Sequence, residues 1–193
     1  MKTLKDNNKN EIIIKNSRFI CLLYKLDNVN NIDIILNNIK TEYKDATHYC
    51  YAYIFDNTYK SNDDGEPGGT AGMPILNVLK NNNLNYILAI VVRYFGGIKL
   101  GAGGLVRAYT KSVTETIKKS TITTLLDGYN LIIEFDYDKI KEIDYLLKDS
   151  NVNSKTFDNK IIYDIDIDKN IYKTLKNYNY INIKKETNKK IFY

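Results

Sequence analysis

Glycine is concentrated in one short part of this chain. Of the ten glycines, all but Gly128 lie between Gly65 and Gly104, and both prolines lie there too. They form two loops, an acidic loop at residues 62–72 (NDDGEPGGTAG) and a glycine loop at residues 96–104 (GGIKLGAGG). Because glycine allows backbone conformations and close approaches that a Cβ forbids, this clustering predicts a specialised site at the two loops.

Composition limits the kind of protein. The 193 residues are 44% hydrophobic and 26% charged, which is ordinary for a globular chain of one large domain or two small ones. The longest apolar run, residues 86–92, is much shorter than a membrane span, and the polar N-terminal segment lacks the apolar core of a signal peptide. Cys21 and Cys50 have no metal-ligand spacing. We therefore expect a reduced, cytoplasmic protein with no membrane partner.

The net charge of +5 is distributed unevenly along the chain. Residues 1–125 carry 16 Lys and Arg against 11 Asp and Glu, whereas residues 126–193 carry 12 of each kind. A basic first half suits an anionic partner such as RNA, although this charge is equally compatible with solubility alone.

Hydrophobic periodicity predicts an α+β fold of two domains, residues 1–126 and residues 127–193, with the boundary at a turn formed by Asp127 and Gly128. The first domain is expected to contain strands at 11–15, 18–26, 48–55, 85–95 and 121–125 and helices at 29–43, 73–82 and 102–119. The second is expected to contain strands at 129–135, 152–157, 160–167 and 180–185 and helices at 138–149 and 168–178. Its order, βαββαβ, is that of a ferredoxin-like unit.

The glycine loop lies between a buried strand and a helix, which is where a phosphate or another anion binds most readily. A helix N-terminus offers free N–H donors and a partial positive charge, and Lys and Arg side chains add to it. The alternative is that the glycines only allow tight packing of strand against helix. The residues predicted to contact an anion or RNA are Arg93, Gly96, Gly97, Lys99, Gly101, Gly103, Gly104, Arg107 and Lys111.

The acidic loop has two interpretations. Its carboxylates could hold a divalent cation, but Asp-Gly and Glu-Pro pairs are common turn formers. We favour a structural turn, and we predict no metal and no cofactor. The residues expected on the face formed by this loop are His48, Asp63, Asp64, Gly65, Glu66 and Thr70.

The strand at residues 48–55 carries two further candidates. His48 and Cys50 share one face, where a neighbouring imidazole could activate a thiol, but a buried Cys and a hydrogen-bonded His are commoner. Tyr49, Tyr51, Tyr53 and Phe55 share the other face, where they could stack nucleic-acid bases, although an aromatic sheet face is more often core. We predict no catalytic residue.

Four motifs in this order resemble the IMPACT/YigZ family over residues 15–120. They are SRF at 17–19, DATHYCYA at 45–52, DDGEP at 63–67 with GTAG at 69–72, and VVRYFGGIKLG at 91–101 with GGLV at 103–106. The resemblance implies a first domain similar to a small-subunit ribosomal protein and to domain IV of elongation factor G. It also implies a ferredoxin-like second domain similar to domain V of that factor. Asn62 departs from the family, which usually has Ser there.

The resemblance also implies a role in translation. Eukaryotic relatives regulate translation during amino-acid starvation by competing for an activator of an initiation-factor kinase, and no established catalytic activity comes with the family. We therefore interpret the chain as a non-catalytic regulator that binds RNA, the ribosome or a translation-control protein through its glycine-loop face. Two alternatives remain: a nucleotide- or phosphate-binding enzyme that uses both loops, and a surface for protein docking alone. The sequence does not predict the oligomeric state.

Overall fold

The chain has a mixed α+β architecture. A computed structural model describes residues 1–192, which divide into two units, residues 1–123 and residues 124 onward. The first unit contains β1 (Lys2–Leu4), β2 (Asn8–Ile14), β3 (Ser17–Lys25), α1 (Ile32–Glu42), β4 (His48–Phe55), β5 (Thr58–Asn62), α2 (Gly72–Asn81), β6 (Ile87–Tyr94) and α3 (Ala102–Lys118). None of the helices in residues 1–192 has the length and apolar character that crossing a membrane requires.

The main sheet of the first unit is antiparallel, in the order β2-β3-β6-β4-β5. The side chains of β6 alternate between two cores, since Ala89 and Val91 pack in the cluster that includes α2 and α3, while Ile90 and Val92 pack in the cluster that includes α1. Both faces of β6 are therefore covered by helices. This explains why its sequence is a continuous apolar run rather than an alternating one.

The aromatic face of β4 belongs to the core. Tyr49, Tyr51, Tyr53 and Phe55 pack against the cluster that contains Ile32 and Ile39 of α1. Tyr49 also donates a hydrogen bond to the carbonyl oxygen of Tyr43 at 2.6 Å. The structure supports the core interpretation of these rings, because helix α1 covers the face that bases would have to reach.

The second unit has the predicted ferredoxin-like order. Its antiparallel sheet runs β8-β9-β7-β10. The strand that opens the unit therefore lies between the third and fourth strands, with the second at the edge. Its elements are β7 (Ile122–Phe135), α4 (Ile140–Leu146), β8 (Asn151–Phe157), β9 (Ile161–Asp168), α5 (Lys169–Leu175) and β10 (Asn182–Phe192).

The predicted turn at Asp127 and Gly128 is wrong, because both residues lie inside the continuous strand β7. Gly128 pairs with Asp168 of β9. A Cβ on Gly128 would lie 2.2 Å from the carbonyl oxygen of Ile167. Glycine is therefore required by the close approach of a neighbouring strand, which produces the same sequence signal as a turn.

Three strands differ from the prediction because they are polar or short. Neither β1 nor β5 was predicted, and most side chains of β5 are exposed. Strand β10 ends at Phe192, beyond the expected end at Lys185, and is rich in Lys. Periodicity of apolar residues cannot detect such strands. Strand β5 is positioned by backbone pairing with β4, and β10 by backbone pairing with β7.

The close approach at Gly128 predicts a large effect of a small substitution. We expect Gly128→Ala to destabilise the protein by about 1–3 kcal/mol, because the added methyl group forces two backbones apart. The control is Gly68→Ala, where a Cβ meets no atom within 4 Å, so that a gain of about 0.4–1 kcal/mol is expected from reduced chain entropy. Urea unfolding of both variants, followed by circular dichroism, measures the difference. Equal midpoints would contradict the packing argument.

Candidate functional site

The two loops lie around one pocket of the first unit. The pocket has a volume of about 460 Å³. His48 comes from the start of β4, Glu66 and Pro67 from the acidic loop, Arg93 from the end of β6 and Lys99 from the glycine loop. The complete lining is Thr47, His48, Glu66, Pro67, Arg93, Phe95, Lys99, Leu100, Gly101, Ala102 and Leu105.

Asp63 holds the acidic loop together. Its carboxylate accepts hydrogen bonds from the backbone N–H groups of Gly69, Ala71 and Gly72 at 2.8–2.9 Å. Burial acts to raise the pKa of Asp63, but these three donors outweigh it and lower the pKa below its ordinary value. With its acceptor capacity used in this way, Asp63 acts as a structural anchor, as favoured from the sequence.

Other residues of the acidic loop also form hydrogen bonds that stabilise its turn. Asp64 accepts a hydrogen bond from the N–H of Tyr49 at 2.7 Å, and the side-chain oxygen of Asn62 accepts one from the N–H of Asp64 at 2.7 Å. The amide of Asn62 thus supplies an acceptor where the family usually has a Ser hydroxyl. Thr70, which we predicted at the face of this loop, is buried, and its hydroxyl donates to the carbonyl oxygen of Pro67. Within residues 1–192, no group of three or more His, Cys, Asp and Glu side chains could hold a metal ion.

Glu66 is the buried centre of the site. Its Oε1 accepts hydrogen bonds from Nη1 of Arg93 at 2.5 Å and from the hydroxyl of Tyr109 in α3 at 2.7 Å. The side chains of Glu66 and Arg93 are only 3% and 5% exposed. Burial raises the pKa of Tyr109, so its hydroxyl remains a donor. The ion pair therefore joins the acidic loop to β6, and the tyrosine ties both to α3.

The structure gives Arg93 a different partner and role from those expected. The sequence suggested a phosphate contact, whereas the ion-pair partner of Arg93 is Glu66. Its Nε nevertheless has no hydrogen-bond acceptor within residues 1–192. Arg93 also lines the pocket, although this Nε atom is itself buried.

The hydrogen bond of His48 orients its ring. Nδ1 lies 2.8 Å from the carbonyl oxygen of Asp64. A carbonyl can only accept, so Nδ1 carries a proton. On the other side of the ring, Nε2 lies 3.8 Å from Oε2 of Glu66. Gly65 also lies against this ring, since a Cβ on it would be 3.6 Å from Nδ1.

Cys50 does not form a pair with His48. Its thiol donates to the carbonyl oxygen of Asp63 at 2.9 Å and lies 3.3 Å from the hydroxyl of Tyr109. Burial raises the pKa of Cys50 to about 12. The thiolate that a nucleophile requires is thus disfavoured at neutral pH, and the nucleophile alternative loses its support.

The glycine loop presents the N-terminus of α3 at the pocket. Gly101 precedes the helix with a φ of 69°, and no side chain caps this end. Ala102, in the first turn, lines the pocket together with Lys99. Four N–H groups at a helix start lack intrahelical acceptors, and they carry a partial positive charge. This arrangement is suited to an anion.

Not every glycine of the loop is available to a ligand. The N–H of Gly96 donates to the hydroxyl of Ser17 at 3.1 Å, so the prediction that Gly96 contacts an anion is not supported. Gly97 and Gly103 are exposed but do not line this pocket. Gly104 lines a second pocket instead.

That second pocket, of about 220 Å³, gathers basic residues from two parts of the chain. Arg107 and Lys111 of α3 line it together with Lys15, which lies in the turn between β2 and β3. Leu100 lines both pockets, so the two are adjacent. Sequence reasoning missed Lys15 because it is distant from the glycine loop in the chain, and it also missed the exposed ring of Phe95 at the main pocket.

Comparison with known proteins gives consistent matches. The family model described as the Impact N-terminal domain matches residues 15–117. The IMPACT family member YvyE of Bacillus subtilis is 51% identical over 116 residues, which are 58% of this chain and 54% of that protein. YigZ of Escherichia coli is 37% identical over 139 residues, 69% of this chain and 68% of that protein. The Protein IMPACT homolog of Dictyostelium discoideum is 36% identical over 110 residues, 53% of this chain and 30% of that protein.

One solved structure matches almost the whole chain. It is a crystal structure described as that of a hypothetical protein, with a TM-score of 0.63 and 27% sequence identity. The match covers 94% of this chain and 95% of that one. The sequence matches to the curated relatives are shorter than this structural match. In the match to YvyE, this chain spans about half the length of that protein.

The buried ion pair predicts a strong dependence of stability on Glu66. We expect Glu66→Gln to cost about 3–5 kcal/mol of unfolding free energy, because it leaves the charge of Arg93 buried without a partner. The matched control is Glu11→Gln. It breaks an exposed pair with Arg18, whose side chains are 39% and 50% exposed, and should cost about 0–1 kcal/mol. Similar losses for the two variants, measured by urea denaturation, would show that Glu66 does not hold the loops.

The buried thiols predict slow labelling. Burial raises the pKa of both Cys21 and Cys50 to about 12, so both remain protonated at pH 8. We expect an aromatic disulfide reagent to label the native protein only at the rate of unfolding, and to label both cysteines rapidly in urea. One thiol that reacts rapidly in the native protein would restore the nucleophile alternative.

Proposed function

This chain belongs to the IMPACT family, and we propose that it is a non-catalytic, translation-associated protein that binds RNA through its glycine-loop face. One observation carries the proposal: the uncapped N-terminus of α3 lies between two adjacent pockets lined by basic side chains. Backbone N–H groups and cations together are the donors that phosphate oxygens require. The family resemblance implies a role in translation, and a phosphate-binding surface gives that role a physical basis.

The basic side chains of this surface are not neutralised by the protein itself. Within residues 1–192, no carboxylate lies within 4 Å of the charged nitrogens of Lys15, Lys99 or Arg107, whereas Arg18 and Lys118 have such partners. Lys15, Lys99 and Arg107 are also exposed. Binding a phosphate at these positions would therefore displace counterions without breaking an existing ion pair, which favours association.

The adjacency of the two pockets favours a strand over a single phosphate. The main pocket offers Lys99 and the start of α3, and the second pocket offers Lys15, Arg107 and Lys111. Since Leu100 lines both, successive phosphates of one strand could contact one pocket and then the other. Single-stranded RNA provides such a flexible, regularly charged backbone.

Exposed apolar side chains favour a second candidate, docking of a translation-control protein on the same face. Phe95 and Ile98 are each 46% exposed, and Val106 is 38% exposed. Ile98 belongs to the glycine loop, while Phe95 and Val106 lie beside its two ends. Protein interfaces are enriched in such residues at their centres. RNA and protein docking differ in how strongly salt weakens binding.

Removing two cations tests the RNA proposal. We expect Lys99→Ala/Arg107→Ala to weaken binding of single-stranded RNA for all sequences, because phosphate contacts carry no base specificity. The double variant should also lower the magnitude of the slope of log K against log salt by about 0.7 for each lost contact. Fluorescence anisotropy at several salt concentrations gives both quantities.

The control carries the same change in net charge elsewhere on the first unit. Lys9→Ala/Lys60→Ala removes two exposed lysines of β2 and β5 that line neither pocket, and it should keep the wild-type salt slope. Unchanged RNA affinity in a folded Lys99→Ala/Arg107→Ala variant would eliminate the phosphate proposal and leave protein docking as the better account.

A further inference from the structure

The main pocket offers hydrogen-bond acceptors that a phosphate cannot use. They are Nε2 of His48 and Oε2 of Glu66, 3.8 Å apart. A phosphate oxygen is itself an acceptor, so these two atoms need a different part of a ligand, one that donates a proton. Their position beside a predicted phosphate surface indicates which group this is.

The imidazole of His48 is fixed as an acceptor on the pocket side. Nδ1 donates to the carbonyl oxygen of Asp64 at 2.8 Å. In the neutral ring, Nε2 therefore carries a lone pair and no proton. The His48 side chain is 18% exposed, and His48 lines the pocket, so a ligand can reach it.

Only one of the two oxygens of the Glu66 carboxylate accepts hydrogen bonds from other side chains. Oε1 accepts from Arg93 and Tyr109. Oε2 receives no hydrogen bond from any side chain or backbone group of residues 1–192, and Nε2 of His48 lies 3.8 Å from it. Because Arg93 and Tyr109 hold the carboxylate in place, Oε2 is a fixed acceptor. A hydroxyl has one proton and donates it to one of the two acceptors, and Nε2 belongs to the more exposed side chain, so it is the acceptor that a ligand reaches.

Other residues that line the main pocket could contact the base and the phosphate of one nucleotide. The ring of Phe95 is half-exposed, and it lies 5.6 Å from the guanidinium of Arg93, so it can stack a base. Lys99 and the first turn of α3 line the same pocket and could contact a phosphate. Between these two parts of a nucleotide lies its sugar, and in RNA the free group of that sugar is the 2′-hydroxyl.

We propose that this pocket binds one ribonucleotide unit of an RNA strand and selects RNA over DNA, with the 2′-hydroxyl donating its proton to Nε2 of His48. The proposal rests on the proposed function, since it assigns the substrate class of the same surface. The 2′-hydroxyl is the group by which proteins distinguish RNA from DNA at a given site.

The test uses the full chain and three oligonucleotides of identical sequence: RNA, 2′-fluoro RNA and DNA. The 2′-fluoro sugar keeps the pucker of RNA but cannot donate a hydrogen bond. We expect RNA to bind about fivefold to tenfold more tightly than 2′-fluoro RNA, the effect of one hydrogen bond. The protein variant is His48→Asn, whose amide can still donate to the carbonyl of Asp64 but has no acceptor where Nε2 lies. It should reduce the ratio to about one.

The outcomes separate this inference from the proposed function. Equal binding of RNA and 2′-fluoro RNA by the wild type, with weaker binding by Lys99→Ala/Arg107→Ala, would overturn the sugar contact and leave phosphate binding intact. A preference for RNA that persists in a folded His48→Asn variant would place the sugar contact elsewhere and also overturn the inference. Equally weak binding of all three oligonucleotides, unaffected by Lys99→Ala/Arg107→Ala, would remove both proposals. The Lys9→Ala/Lys60→Ala variant should retain the wild-type ratio.

Discussion

The ion pair between Arg93 and Glu66 is the contact on which the rest of the site depends. Arg93 ends the central strand β6, Glu66 lies in the acidic loop, and Tyr109 of α3 donates to the same carboxylate oxygen. Removing two charges from water is costly, and a buried pair is tolerated only when further hydrogen bonds satisfy it. Tyr109 supplies one. Strand β6, the acidic loop and α3 meet at this one carboxylate. We therefore expect the sides of the main pocket that contain His48 and Lys99 to keep a fixed separation.

The sequence could predict the elements whose side chains face a core. Strand β6 and helix α3 carry the strongest apolar patterns, and the structure places them within one residue or so of the predicted bounds at most ends. It could not predict β5, which is polar and exposed, or the length of β10, which is rich in Lys. At Gly128 the signal was present but ambiguous, since a tight turn and a close strand crossing both exclude a Cβ.

The site could be located from sequence, but the roles of its residues could not be assigned. Clustered glycines marked both loops, because few other constraints demand so many in so short a segment. The carboxylates of Asp63 and Glu66 look alike in sequence, yet one anchors backbone N–H groups and the other neutralises an arginine. That distinction depends on burial and on partners that are distant in the chain. Lys15 shows the same limit, since only the turn between β2 and β3 brings it beside Arg107.

Several lysines of the second unit form ion pairs with carboxylates of the same unit. Residues 126–168 carry 5 Lys against 11 Asp and Glu, and residues 169–193 carry 7 Lys against one acid. These opposite charges meet across the sheet, where Lys184 pairs with Glu134, Lys189 with Asp166 and Lys190 with Asp127. Lysines used in this way have little attraction left for an external phosphate. Since these lysines are paired within their own unit, we expect the phosphate binding proposed for the glycine-loop face to depend on that face rather than on the paired lysines near the C-terminus.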